Sequence, residues 1–144
     1  MKIVGLDIGD QWTGTAISDA LRMFARPYKT TPTKDLIPFL ETVLAQEPVT
    51  KIVIGYPKTM RGTVSDQTKK VEAAKEKLEQ HFPNITWILW DERLSSKRAQ
   101  TLKAAKTKEE KIQSHSVAAA FILSSYLEFR PLDSIDNHID EIKN

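Results

Sequence analysis

Cysteine is absent from the 144 residues. Its absence removes disulfides, thiolate metal ligands and cysteine nucleophiles together, and it fits a reducing cytosol. Long hydrophobic runs are also missing. The longest uninterrupted one, Val117 to Leu123, is far short of the roughly 20 residues that cross a bilayer, so no membrane partner is expected. Met1 and Lys2 lead straight into a strand-like run, with no leader pattern, which points to a cytoplasmic protein. Internal repeats and low-complexity stretches are lacking too. The charge is nearly balanced, at +2, and by itself argues for no particular partner.

What is present is an ordinary globular mixture, 40% hydrophobic and 28% charged. The length suits one sheet with helices packed on it. We expect one domain over residues 1–130 and an acidic tail over 131–144. Charge is unevenly spread: Lys97, Arg98, Lys103, Lys106, Lys108 and Lys111 face only Glu109 and Glu110 within their segment. Such a segment either holds phosphates or is a solvated, lysine-rich helix and loop.

The pattern predicts a central buried strand at Lys2–Ile8, a hairpin partner at Thr13–Ser18, and a short third strand between Leu21 and Thr31. Pro27 argues that this third strand is an edge. Thr33 is expected to cap a helix to Gln46 with Leu36, Ile37, Leu40, Val43 and Leu44 on one face. Strands follow at Lys51–Tyr56 and Ile85–Trp90. Helices are expected at Ser65–His81, Leu94–Ala104 and Ser114–Phe129, with a polar, mobile stretch at Ala105–Lys111. Three antiparallel strands followed by βα units imply an α/β fold with a five-stranded mixed sheet flanked by helices. Right-handed crossovers place the fourth and fifth strands beside the first.

Asp7 is the first chemically informative residue. It stands among Ile3, Val4, Leu6 and Ile8, where an unpaired carboxylate costs several kcal/mol. A cation, a basic side chain or several N–H donors must offset that cost. A structural salt bridge is the plain alternative, but no basic residue neighbours Asp7 on its strand face, which favours a metal ligand or catalytic acid. Asp91 and Glu92 follow the fifth strand directly, where sites collect at carboxyl ends of parallel strands. Only one of the two faces Asp7; Glu92 is preferred, with Asp91 close behind. His115, expected at the start of the last helix, shares a helical side with Ala118, Ala119 and Ile122 and is carried toward the strand ends. Two carboxylates and an imidazole suit Mg²⁺ or Mn²⁺ and phosphodiester hydrolysis. A glycosidase could use two carboxylates as well, but no aromatic sugar cleft is marked. His81 and His138 have no such setting.

Several blocks together resemble one family. They are Gly5-Leu6-Asp7-Ile8-Gly9 with Gly14 and Ser18-Asp19; Ala25-Arg26-Pro27; Val53-Ile54-Gly55-Tyr56-Pro57 with Met60 and Gly62; Trp90-Asp91-Glu92-Arg93-Leu94-Ser95; and Ser116 to Leu123 with Ser125-Tyr126-Leu127. In this order they resemble the YqgF/RuvX family over nearly the whole chain. The Asp91–Ser95 block is the most specific. The resemblance implies an RNase H-like fold related to Holliday-junction resolvases, and a cytoplasmic nuclease maturing the 5′ end of pre-16S rRNA in ribosome biogenesis. It puts the family's acids at Asp7, Asp91 and Glu92.

Three positions depart from the family pattern. His115 stands where an Asp is usual, Asp10 where a Thr is usual, and Trp12 where a basic residue is usual. A neutral ligand at His115 holds a second cation less tightly. Trp12 either stacks on a base or packs. The loop Pro57–Val64 carries Lys58 and Arg61, which with Arg93, Lys97 and Arg98 are the expected nucleic-acid contacts. Structured RNA and branched DNA are the candidate substrates, acted on by a monomer or homodimer. An actin-like or sugar-kinase-like nucleotide site, which also begins Asp-x-Gly, would need a second domain. A non-catalytic RNA-binding assembly factor is the remaining alternative, favoured by His115.

Overall fold

A strand that is apolar on both faces belongs in the middle of a sheet. β1 (Lys2–Ile8) takes that place. β2 (Trp12–Ser18) returns beside it antiparallel, and β3 (Ala25–Pro32) pairs antiparallel on its outer side. β4 (Val49–Tyr56) and β5 (Thr86–Asp91) lie parallel on the other side, giving the order β3-β2-β1-β4-β5 in a five-stranded sheet. The mixed sheet and the placing of β4 beside β1 match the sequence expectation, whereas β5 pairs with β4 and lies one strand farther out. The structure, a computed structural model, describes residues 1–56, 66–91 and 107–129. Its helices among those residues are α1 (Leu36–Gln46), α2 (Asp66–His81) and α3 (Lys108–Phe129). The expected helix at Leu94–Ala104 and the tail at 131–144 lie outside the described residues.

Strand alternation divides the core in two. Val4, Leu6 and Ile8 of β1 face α1 and α2, meeting Leu36, Leu40, Val43, Val71 and Leu78. Ile3 of β1, Ala16 of β2 and Val53 of β4 face α3, meeting Ala119, Ile122, Leu123 and Tyr126. A fully buried side chain such as Leu6, Leu40 or Ile122 contributes about 1.5–3 kcal/mol. Helix α3 can lie close on the sheet because its inner side is built of Ala118, Ala119 and buried serines. Two of the serine hydroxyls are satisfied within the helix, Ser114 donating to the Lys111 carbonyl at 2.6 Å and Ser116 to the Gln113 carbonyl at 2.8 Å, while Ser125 Oγ accepts from Trp90 Nε1 at 3.1 Å.

Two local expectations are corrected. Thr33 does not cap α1. It opens a 3-10 turn (Thr33–Asp35), and its hydroxyl donates to the Gly9 carbonyl at 2.7 Å. Helix α3 begins at Lys108, not Ser114, so Lys108–Lys111 is helical. A reciprocal cap makes this possible: the Glu110 amide donates to Thr107 Oγ1 at 3.0 Å, and the Thr107 amide donates to Glu110 Oε2 at 3.2 Å. Pro27 does lie on an edge strand, beside a register shift between Thr15 and Ala16 of β2, where its missing N–H costs least.

Candidate active site

Asp7 is the penultimate residue of the central strand and is only 2% exposed. Gly5 and Ile3 precede it on the same face, so its carboxylate points under α3. Opposite it in register, on β2, is Gly14. A Cβ on Gly14 would lie 1.8 Å from the His115 carbonyl oxygen. A Cβ on Gly5 would lie 2.8 Å from Leu123 Cβ. The missing side chains at these two positions therefore let the α3 backbone rest directly on β1 and β2.

That close approach delivers His115 to Asp7. His115 Nδ1 stands 3.8 Å from Asp7 Oδ2. The residue lies about two turns inside α3 rather than at its start, because the helix begins earlier than the sequence suggested. Ala118, Ala119 and Ile122, expected on its helical side, are all buried. The ring nitrogen is itself buried, and it makes no hydrogen bond to a described residue. The separation is too long for a hydrogen bond, yet shorter than two bonds of about 2.1 Å from one small hard cation. One ion can therefore touch both groups. Among the described residues, no set of three His, Cys, Asp and Glu side chains gathers in this way.

Asp91 is placed differently. It pairs with Tyr56 across β4 and β5, on the face of Leu89 and Ile54, which is the face of α1 and α2. It thus shares the carboxyl edge of the parallel strands with Asp7 but not its face. Beside it, the Tyr56 hydroxyl donates to Glu72 on α2, and this bond raises the phenol above its usual range. Glu92, Lys58, Arg61, Arg93, Lys97 and Arg98 lie outside the described residues.

The loop between β1 and β2 borders the site and is held from three directions. The Gly9 amide donates to the Trp12 carbonyl at 3.0 Å, and the Thr33 amide donates to the Gln11 carbonyl at 3.0 Å. From α2, Gln67 Nε2 donates to the Ile8 carbonyl at 3.3 Å, and Lys70 pairs with Asp10 at 3.1 Å. Sequence reasoning missed these ties; all but the Gly9–Trp12 bond join residues distant in the chain. It also missed Gly14, although a glycine inside a strand pattern is itself a signal of close backbone approach.

Residues 1–129 match the family model described as "RuvX: Holliday junction resolvase". The chain belongs to the RuvX family. Its class of chemistry is accordingly phosphodiester hydrolysis. Curated relatives of this RuvX protein include three bacterial proteins, each named "Putative pre-16S rRNA nuclease". One from Desulfitobacterium hafniense is 38% identical, covering 90% of this chain and 93% of the relative. One from Shouchella clausii is 37% identical, covering 89% and 95%. One from Rubrobacter xylanophilus is 34% identical, covering 88% and 92%. Among solved structures, T. thermophilus RuvC in complex with a Holliday junction substrate superposes with a TM-score of 0.56 at 11% identity, covering 90% of this chain and 96% of RuvC. The Fowlpox virus resolvase in complex with Holliday junction DNA gives a TM-score of 0.51 at 12% identity, covering 91% and 99%. These neighbours bear out the RNase H-like fold of the RuvX chain.

Proposed function

We propose that this RuvX protein is a divalent-metal-dependent nuclease that trims the 5′ end of pre-16S rRNA in the cytoplasm, with Asp7, Glu92 and His115 holding Mg²⁺ or Mn²⁺. One observation carries the metal reading: a buried carboxylate and a buried imidazole nitrogen face each other at 3.8 Å, at the carboxyl end of the central strand. Glu92 is the next residue after Asp91, and strand alternation assigns neighbours to opposite faces. That rule favours Glu92 over Asp91 as the third ligand, and it leaves Asp91 as a strand-end acid beside Tyr56. The RNA substrate rests on the names of the curated relatives.

A bound divalent ion lowers the pKa of water and stabilises the leaving oxygen of a phosphodiester. The chain's own part is to fix the two donors before substrate arrives. β1 sets Asp7, and Gly14 sets the height of α3 and with it His115. Lys58, Arg61, Arg93, Lys97 and Arg98 are proposed to meet phosphates, and binding should weaken as salt rises.

The test uses an RNA carrying the 5′-extended end of 16S rRNA, beside a four-way DNA junction, with Mn²⁺ or Mg²⁺. Metal-dependent cleavage of the RNA by the wild type, lost in Asp7→Asn with the fold intact by circular dichroism, is the expected result. Undiminished cleavage by Asp7→Asn overturns the site, and cleavage of the junction alone moves the substrate to DNA. An imidazole rather than a carboxylate at position 115 favours a second reading, an assembly factor that binds RNA without cutting it. That reading requires binding that persists in chelator and no cleavage with either metal.

A further inference from the structure

The β1–β2 loop ends in Trp12, and the structure gives this tryptophan a particular place. Gly14 and Ala16 of β2 face α3, so Trp12 shares the sheet face of Asp7 and His115. It lies two residues before Gly14, about 7 Å along the strand from the pair that contains Asp7. Its cross-strand neighbour is Pro32. Trp12 and Pro32, with Asp10, Gln11 and Lys34, line an open cavity of about 360 Å³. That space exceeds what one flat heterocycle fills.

We propose that this cavity takes an unpaired nucleobase of the RNA strand next to the cleavage site, stacked on the Trp12 indole. The inference rests on the nuclease reading above and names the substrate feature that its site selects. Three features support it. The platform is rigid beforehand, because Thr33 ties the loop through its hydroxyl to the Gly9 carbonyl at 2.7 Å and through its amide to the Gln11 carbonyl at 3.0 Å. The neighbouring charge is right for a nucleotide: Lys34 is exposed at the rim, and the carboxylate of Asp10 is paired with Lys70 at 3.1 Å. The position is close to the reacting centre, two residues along β2 from Gly14, the partner of Asp7. A base in a duplex presents only its edges, so a stacking site of this kind selects a single strand or a frayed end.

The experiment measures binding without cleavage, in the Asp7→Asn background with Mn²⁺ present. Two labelled probes are compared by fluorescence anisotropy: an RNA hairpin with a short single-stranded 5′ extension, and the same hairpin blunt. Trp12→Ala should weaken the extended probe about tenfold and the blunt probe less than twofold. Trp12→Phe should recover most of the loss. An abasic nucleotide at one position of the extension should reproduce the loss, and its effect should not add to that of Trp12→Ala. Equal effects on both probes, no effect on either, or no recovery with Phe overturns the proposal and leaves Trp12 as packing on Pro32. Because no step is a cleavage, the outcome is independent of whether the wild type cuts these RNAs.

Discussion

The His115 carbonyl occupies the space that a side chain on Gly14 would need, 1.8 Å from the Cβ position. This contact between a strand and a helix distant in sequence sets the separation of Asp7 and His115. Gly14→Ala forces backbone against backbone, so α3 must lift. Overpacking of this kind costs about 1–3 kcal/mol and occasionally more. A fall of that size in the unfolding free energy, read from urea denaturation, is expected, with a loss of Mn²⁺ affinity larger than the stability change explains. A Gly14→Ala protein with wild-type Mn²⁺ affinity would show that the Gly14 contact does not set the site.

A second prediction concerns the ion. Asp7 is buried and His115 Nδ1 is 3.8 Å away, so a cation that binds there stabilises the folded state by mass action. At 100 times its Kd that gain is about 2.7 kcal/mol. The wild type should therefore melt several degrees higher in Mn²⁺ than in chelator, and Asp7→Asn should show no such rise. His115→Asp puts a charged oxygen donor in place of neutral nitrogen. It should shift preference toward Mg²⁺, read as a larger Mg²⁺-induced rise in Tm than in the wild type. If Mg²⁺ and Mn²⁺ shift wild type, Asp7→Asn and His115→Asp alike, the ion binds elsewhere.

The third prediction is a pH dependence in the β2–β3 hairpin. Leu21 and Phe24 at its tip are 78% and 75% exposed, so apolar burial does little to hold it. Arg22 adopts a left-handed φ of 58°, which costs about 1–2 kcal/mol in a non-glycine residue. The hairpin is held instead by the Asp19 carboxylate, which accepts from the Phe24 amide at 2.8 Å and the Met23 amide at 2.9 Å. The Phe24 bond is the main reason that its pKa falls below the ordinary 3.8; desolvation opposes it, and the Met23 bond adds to it. The sign follows from that direction: the carboxylate's support is complete above the unfolded value and is lost as pH falls through the lower folded one. Amide exchange at Met23 and Phe24, compared with other exposed amides, should accelerate in Asp19→Ala at neutral pH. The two proteins should converge in acid. Equal protection at neutral pH would refute this role.

Much of the fold was legible because burial leaves a local trace. The apolar run at Lys2–Ile8 marked the central strand, Pro27 marked an edge, and the helical spacing of Leu36, Leu40 and Val43 marked the inner side of α1. The meeting of Asp7 and His115 was legible for the same reason, since an acid in an oily strand and a small-residue helical side both point inward. Contacts that join distant residues left no such trace. Thr33 looks like a helix cap, but its hydroxyl is taken by the Gly9 carbonyl, and nothing near residue 33 announces that. Asp91 and Glu92 were ranked without the sheet register, which puts Asp91 with Tyr56 on the face away from Asp7. The early start of α3 is a different case. Its signal, Thr107-Lys108-Glu109-Glu110, was present as a capping box and was outweighed by the charge of the segment.

That capping box yields the last prediction. Thr107 and Glu110 each accept the other's amide, which satisfies two donors that α3 would otherwise leave open. Thr107→Ala removes the hydroxyl and leaves the Glu110 amide to water, at a cost of about 1 kcal/mol. For a chain of this size that corresponds to a fall in Tm of about 2–4 °C. Thr107→Ser keeps the acceptor and should keep the stability. The damage should remain local, because Gly14 seats the helix farther along, at His115. Hydrogen exchange should therefore quicken at Glu110 and Lys111 while Ala118 and Ala119 stay protected. If Ala118 and Ala119 lose protection together with the first turn, the cap rather than the glycine contact is what fixes α3 on the sheet.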